Sequence, residues 1–202
     1  MITIGITGII GSGKTTASSI LKNRGFEIID LDQLSKDLIK KEEVMTEIRS
    51  RLGTEYVVDN SVDVARLRDE VFKNEEALRT LESIIHPRVR SALRQRLDEL
   101  ERAGTRIVFI DGPLLFETGL HKQLDRIVVI SAETVTIKER LKARGMAEED
   151  VGRRIPHQIP LKEKEKAADH VINNNGTRGG LEKEVERLLQ RIKEWEVRAH
   201  AS

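Results

Sequence analysis

The stretch GITGIIGSGKTT, Gly5 to Thr16, limits what this chain can fold into more than any other part of it. It follows the β-branched run Ile2, Ile4, Ile6 and leads into KTTASSILKNRG, where Ala17, Ile20 and Leu21 recur at helical spacing before Gly25. The local order is strand, loop, helix. Gly8, Gly13, Lys14 and Thr15 satisfy the pattern G-x-x-x-x-G-K-[ST] in that setting, which is the pattern of a phosphate-binding loop. Glycine allows backbone angles and close approaches that a side chain blocks, so amides from Gly11 to Thr15 can turn inward onto phosphate oxygens. The helix start near Lys14 adds its positive dipole end. Lys14 is expected to bridge the β and γ phosphates and the Thr15 hydroxyl to ligate Mg²⁺. A bare glycine turn is the competing reading, and the strand-to-helix position weighs against it.

The rest of the chain extends this unit into an α/β domain. FEIID (Phe26–Asp30), RIVFID (Arg106–Asp111), RIVVIS (Arg126–Ser131) and HVINN (His170–Asn174) repeat the short β-branched run. With the first run they predict a five-stranded parallel sheet flanked by helices on both faces, and ligands gather at the carboxyl ends of such strands. The core is expected over about 1–33, 105–131 and 168–202. The gap after the second run, about 34–104, carries the helical stretch Leu81–Gly104 and reads as an inserted helical subdomain; Pro87 either kinks that helix or starts its second half. A second insertion, about 132–167, is strongly charged, is broken by Gly145, Pro156 and Pro160, and has the composition of a lid. The final run, Leu181 to Trp195, places Val185, Leu188, Leu189 and Ile192 on one face, and Trp195 reads as packing.

Charge narrows the partners. Thirty-five basic and 34 acidic residues leave a net charge of +1, so no global field draws the chain to nucleic acid or to a membrane surface. Cysteine is absent, which excludes disulfides and thiolate chemistry and suits a reducing compartment. No signal peptide or membrane span is expected, and the cytoplasm is the default location. Among nucleotide users, a GTPase needs a guanine-reading Asn-Lys-x-Asp element, and the candidate NNNG lacks the lysine and the aspartate. ATP and a small kinase fit better, with one insertion for the acceptor and one to exclude water.

Acceptor chemistry is sought at the strand ends. Asp30 and Asp32 close the second strand, and a carboxylate there can take or orient the acceptor hydroxyl's proton. For Asp32 a helix N-cap is an equal alternative. Asp111, ending the third run, can hold Mg²⁺ through water or merely form an Asp-Gly turn. Arg140 and Arg144, four apart, can reach transferring phosphate oxygens when the lid closes, or form a solvated face. His86 alone reads as a structural histidine, while Arg88 and Arg90 beside it could serve an anionic substrate.

Together GITGIIGSGKTT, IIDLDQLSKDL, LESIIHPRVR, IDGPLLFETGL, ERLKARG with RRIPHQ, and ADHVINNNG resemble the dephospho-CoA kinase family, in family order and over nearly the whole length. The resemblance implies a three-layer α/β P-loop kinase fold. It also implies transfer of the ATP γ-phosphoryl to the ribose 3′-hydroxyl of dephospho-CoA, with Mg²⁺, giving coenzyme A and ADP. Carried over by motif, Gly11, Ser12, Gly13, Lys14, Thr15 and Thr16 hold the triphosphate, and Asp32 is the base. Arg140 stabilises transferring charge, Asn175 lies at the adenine, and Thr7, His86 and Asp111 lie near the acceptor. A monomer or weak homo-oligomer is expected. Two departures stand out: Ile9 and Ile10 replace a commoner glycine-isoleucine pair, which predicts altered packing of the loop's outer span, and Leu31 sits between the aspartates where a smaller residue is usual.

Overall fold

The computed structural model describes residues 1–143, 145–146 and 158–200. The chain divides into two compact units, Met1–Ile29 with Thr105–Ser202, and Asp30–Gly104. The first unit is built on a five-stranded parallel sheet in the order β2-β5-β1-β6-β7. Its strands are β1 (Ile2–Thr7), β2 (Glu27–Asp30), β5 (Ile107–Asp111), β6 (Arg126–Ser131) and β7 (His170–Asn173), each within a residue of the run that predicts it. β1 is central, with Ile6 beside Asp111 on one side and Val128 on the other.

One face of the sheet buries Ile4, Ile6, Phe109, Val128, Ile130 and Ile172 against two helices. Helix α1 (Lys14–Asn23) contributes Ala17, Ile20 and Leu21; α8 (Arg178–His200) contributes Leu181, Val185, Leu188, Ile192 and Trp195, a stripe spaced three and four residues apart. Trp195 is indeed packing, with the Arg126 guanidinium 5.6 Å above its ring. On the other face Gly5 makes room: a Cβ there would lie 2.8 Å from Leu115, Leu124 and Ile127 methyls. Two further helices, α6 (Thr134–Ala143) and α7 (Leu161–Lys166), follow β6 and precede β7. Arg144, Pro156 and the middle of the proposed lid lie outside the described residues. No helix among the described residues is long and apolar enough to cross a membrane.

The second unit contains α2 (Leu31–Leu38), α3 (Glu42–Arg51), the strands β3 (Val57–Val58) and β4 (Ser61–Val62), α4 (Val64–Val71) and the long α5 (Glu75–Arg102). It has its own core of Val44, Met45, Ile48, Tyr56, Leu67, Val71, Ala77 and Ile84. The β3–β4 hairpin is a feature that helical periodicity does not announce. It turns through Asp59 and Asn60 at φ 48° and 55°, a left-handed pair that these residue types tolerate. Helix α5 starts six residues before the periodic stretch seen in the sequence, because the Asn74 side chain caps it by accepting from the Glu76 and Ala77 amides. Pro87 lies inside the helix rather than at a new start. The unit begins at Asp30 instead of Leu34, since Asp30 caps α2 and the helix follows at once.

Candidate active site

The loop after β1 takes its shape from contacts that forbid side chains. A Cβ on Gly8 would meet the Ile130 carbonyl and Ser12 Oγ at 2.6 Å. Gly11 and Gly13 have φ of 83° and 96°. The Gly13 carbonyl accepts the Thr16 and Ala17 amides at 3.0 and 3.1 Å and so starts α1, and a helix N-terminus is where backbone amides can meet an anion. Ser12 is buried, and its carbonyl is held from outside the loop by Asn174 Nδ2 at 2.7 Å and an Arg140 Nη at 3.3 Å. The Ser12 hydroxyl oxygen is buried with no hydrogen-bond partner among the described residues.

Lys14 and Ser18, one helical turn apart on α1, share a carboxylate. Lys14 Nζ pairs with Asp111 Oδ1 and Ser18 Oγ donates to Oδ2 at 2.6 Å. Asp111 is 5% exposed at the end of β5. Its side chain therefore faces the loop lysine and does more than shape an Asp-Gly turn. Ser18 escaped the sequence reading, although its four-residue spacing from Lys14 was the available signal. Thr15 and Asp111 offer a hydroxyl and a carboxylate next to a phosphate cradle, hard oxygen donors of the kind that suit Mg²⁺.

Arg140 stands over the loop in this structure: besides Ser12 its guanidinium donates to Asn174 Oδ1 at 3.4 Å. The cause is apolar. Ile9 and Ile10 pack beneath Ala132, Ile137, Leu141 and Met146, and a Cβ on Gly11 would touch the Ile137 methyl at 2.9 Å. Ile9 and Ile10 thus give α6 an apolar footing on the loop. Of the adjacent asparagines after β7, Asn174 turns into the loop and is buried, whereas Asn175 turns to Glu133, accepting from its amide at 2.6 Å and donating to its carboxylate at 3.3 Å. Asn174 is a contact of the loop that the sequence reading missed.

Thr7, fully buried, donates from Oγ1 to the Pro113 carbonyl at 3.2 Å. The same carbonyl accepts Lys164 Nζ at 2.8 Å.

In the second unit Asp30, rather than Asp32, is the N-cap of α2: its carboxylate accepts the Gln33 amide at 3.0 Å. Asp32 lies exposed in the first turn of the same helix, near its positive end. Helix α2 packs on α5, which carries the half-buried His86. Arg88 is committed within the unit, donating to Glu47 at 2.6 Å and to the Ile84 carbonyl at 2.7 Å. Arg51 also binds Glu47, and hydrogen bonds first from Arg51 and then from Arg88 hold that carboxyl below its ordinary range.

Comparison with known proteins yields a family model, dephospho-CoA kinase, matching residues 2–179. A dephospho-CoA kinase of Corynebacterium glutamicum is 37% identical over 195 residues, 95% of this chain and 98% of that protein. A crystal structure from Thermus thermophilus superposes with a TM-score of 0.82 at 37% identity, covering 94% of this chain and 97% of the other. The dephospho-CoA kinase from Campylobacter jejuni superposes at 0.72 with 25% identity, over 96% and 98% of the two chains.

Proposed function

The chain belongs to the dephospho-CoA kinase family, and from that premise we propose how its own residues divide the work of moving a phosphoryl group from ATP to the ribose 3′-hydroxyl of dephospho-CoA. The activity is ATP-dependent phosphorylation of dephospho-CoA, the reaction that yields coenzyme A. Amides and side chains of Gly11, Ser12, Gly13, Lys14, Thr15 and Thr16 cradle the triphosphate. Lys14 leaves Asp111 for the β and γ phosphates, and Ser18 keeps the freed carboxylate in place. Thr15 would hold Mg²⁺ directly and Asp111 through water. When bound, that ion neutralises charge on the β and γ oxygens.

Arg140 faces the charge that develops on the transferring group. Asp32 serves as base or orienting group for the 3′-hydroxyl, and the capping role of Asp30 supports this by removing the competing reading of Asp32. Thr7 and His86 belong to the acceptor side. Asn175 shapes the adenine end by bracing the turn at Glu133, and Asn174 ties the loop to Arg140. The cytoplasm as place of action and a monomer or weak homo-oligomer as working form belong to the same proposal, supported by the cysteine-free composition and the absence of a global charge.

The observation that carries the mechanism is the meeting of Lys14, Asp111 and Ser18 beside a loop whose far side is held by Arg140 and Asn174. The test is ADP release with ATP, Mg²⁺ and either dephospho-CoA or a panel of nucleosides and nucleoside monophosphates. Release with dephospho-CoA alone is expected; release only with the nucleosides would overturn the acceptor.

A further inference from the structure

Lys164 has 0% exposure, although it lies in the charge-rich run LKEKEKAA. Its ammonium donates to Glu117 Oε1 at 2.8 Å and to the Pro113 carbonyl at 2.8 Å. Glu117 Oε1 also accepts the Ile159 amide at 2.8 Å, while Oε2 is buried with no partner among the described residues. The next residue, Glu165, accepts from Ser131 Oγ at the end of β6. Helix α7 is therefore fastened at two places, on the loop that follows β5 and on the end of β6.

Stability alone is a weak reason for such an arrangement. Taking an ammonium and a carboxylate out of water is so costly that an apolar pair of the same volume is often no less stable. What the pair does fix is geometry: Lys164 joins Glu117 to the Pro113 carbonyl in the segment directly after Asp111. Pro113 lies two residues beyond that carboxylate, and its carbonyl accepts both Lys164 Nζ and Thr7 Oγ1. Thr7 is the last residue of β1 and adjoins Gly8, where the phosphate loop opens.

We infer that Lys164 is a positioning residue for phosphoryl transfer: through the Pro113 carbonyl and Glu117 it fixes the segment that aims Asp111, and through Thr7 the root of the phosphate loop. The inference rests on the proposed part of Asp111 in the reaction. Lys164 touches none of the reacting groups. Without it the loop after β5 gains freedom, and Lys14 and Asp111 lose their common frame.

The test separates geometry from stability. Lys164→Met alone strands the Glu117 charge and lowers the melting temperature. The double variant Lys164→Met with Glu117→Gln removes both charges, keeps an oxygen to accept the Ile159 amide and is expected to recover the melting temperature. Its kcat with dephospho-CoA should nevertheless stay about 10- to 100-fold low, the usual effect of misplaced but intact catalytic groups. Thr7→Val, which cuts the same link from the β1 side and leaves the ion pair alone, should lower kcat in the same direction without raising the KM for dephospho-CoA, which separates a lost link from a lost acceptor contact. A double variant that regains both melting temperature and kcat would overturn the inference, and so would a fully active Thr7→Val. An unaltered protein releasing no ADP with dephospho-CoA would instead refute the assigned reaction, whatever the variants do.

Discussion

Alanine at Gly13 would meet two separate obstacles, and a second substitution can tell them apart. Gly13 has φ of 96°, where a Cβ costs roughly 1–2 kcal/mol. The new methyl would also lie 2.0 Å from Asn174 Nδ2. Asn174 must then swing away from the Ser12 carbonyl that it holds at 2.7 Å, leaving buried groups unpaired at a cost of roughly 1–3 kcal/mol. Gly13→Ala alone should destabilise by roughly 2–5 kcal/mol, the sum of those ranges. With Asn174→Ala already present, the collision is gone and only the backbone strain of roughly 1–2 kcal/mol remains. Urea unfolding of the parent, both single variants and the double closes the cycle, with a coupling of roughly 1–3 kcal/mol expected between neighbouring sites. Titration calorimetry with ATP should show weaker binding for either single variant, since both loosen the Ser12–Gly13 turn. A cost for Gly13→Ala that is equal in the two backgrounds would refute the assignment of Asn174 as the clamp on the loop.

Two further substitutions probe chemistry and protonation. Asp32→Asn should keep ATP affinity and lower turnover by about 10²–10⁴-fold, the range for losing a general base; steady-state kinetics with parental turnover would remove Asp32 from the mechanism. His170, half-buried on β7 with no hydrogen-bond partner for Nε2 among the described residues, is pushed below the ordinary histidine value by burial, against Glu184 and with some help from Arg191. The unfolded chain thus takes up this proton before the folded one, so stability should fall as pH drops through about 6.5 and level off below the depressed value. His170→Leu should flatten that part of a plot of unfolding free energy against pH; an unchanged slope between about pH 8 and 5.5 would place the effect elsewhere.

The sheet was legible because its five strands are short β-branched runs with punctuated ends, and the phosphate loop because Gly8, Gly13, Lys14 and Thr15 must stand at fixed spacing. Side-chain direction was not. After β7 the chain leaves the strand period, and nothing in NNNG says which asparagine turns into the loop; the structure gives that place to Asn174. Ser18 hides among hydroxyls common at the start of a helix, and its partner Asp111 is 93 residues away. Lys164 is concealed by its neighbours, since one inward lysine in LKEKEK looks like those that face water. Asp30 and Asp32 were both visible as strand-end carboxylates, but which one caps α2 depends on where the first helical turn begins, and boundaries are set by local geometry more than by composition.

The footing that Ile9 and Ile10 provide for α6 is apolar: Ile137 and Leu141 seat the helix on the loop, and hydrogen bonds to Ser12 and Asn174 steady the Arg140 guanidinium. Such an attachment is insensitive to screening, unlike one made by surface ion pairs. High salt should therefore weaken the attraction of the site for a polyanion without dismantling the site itself.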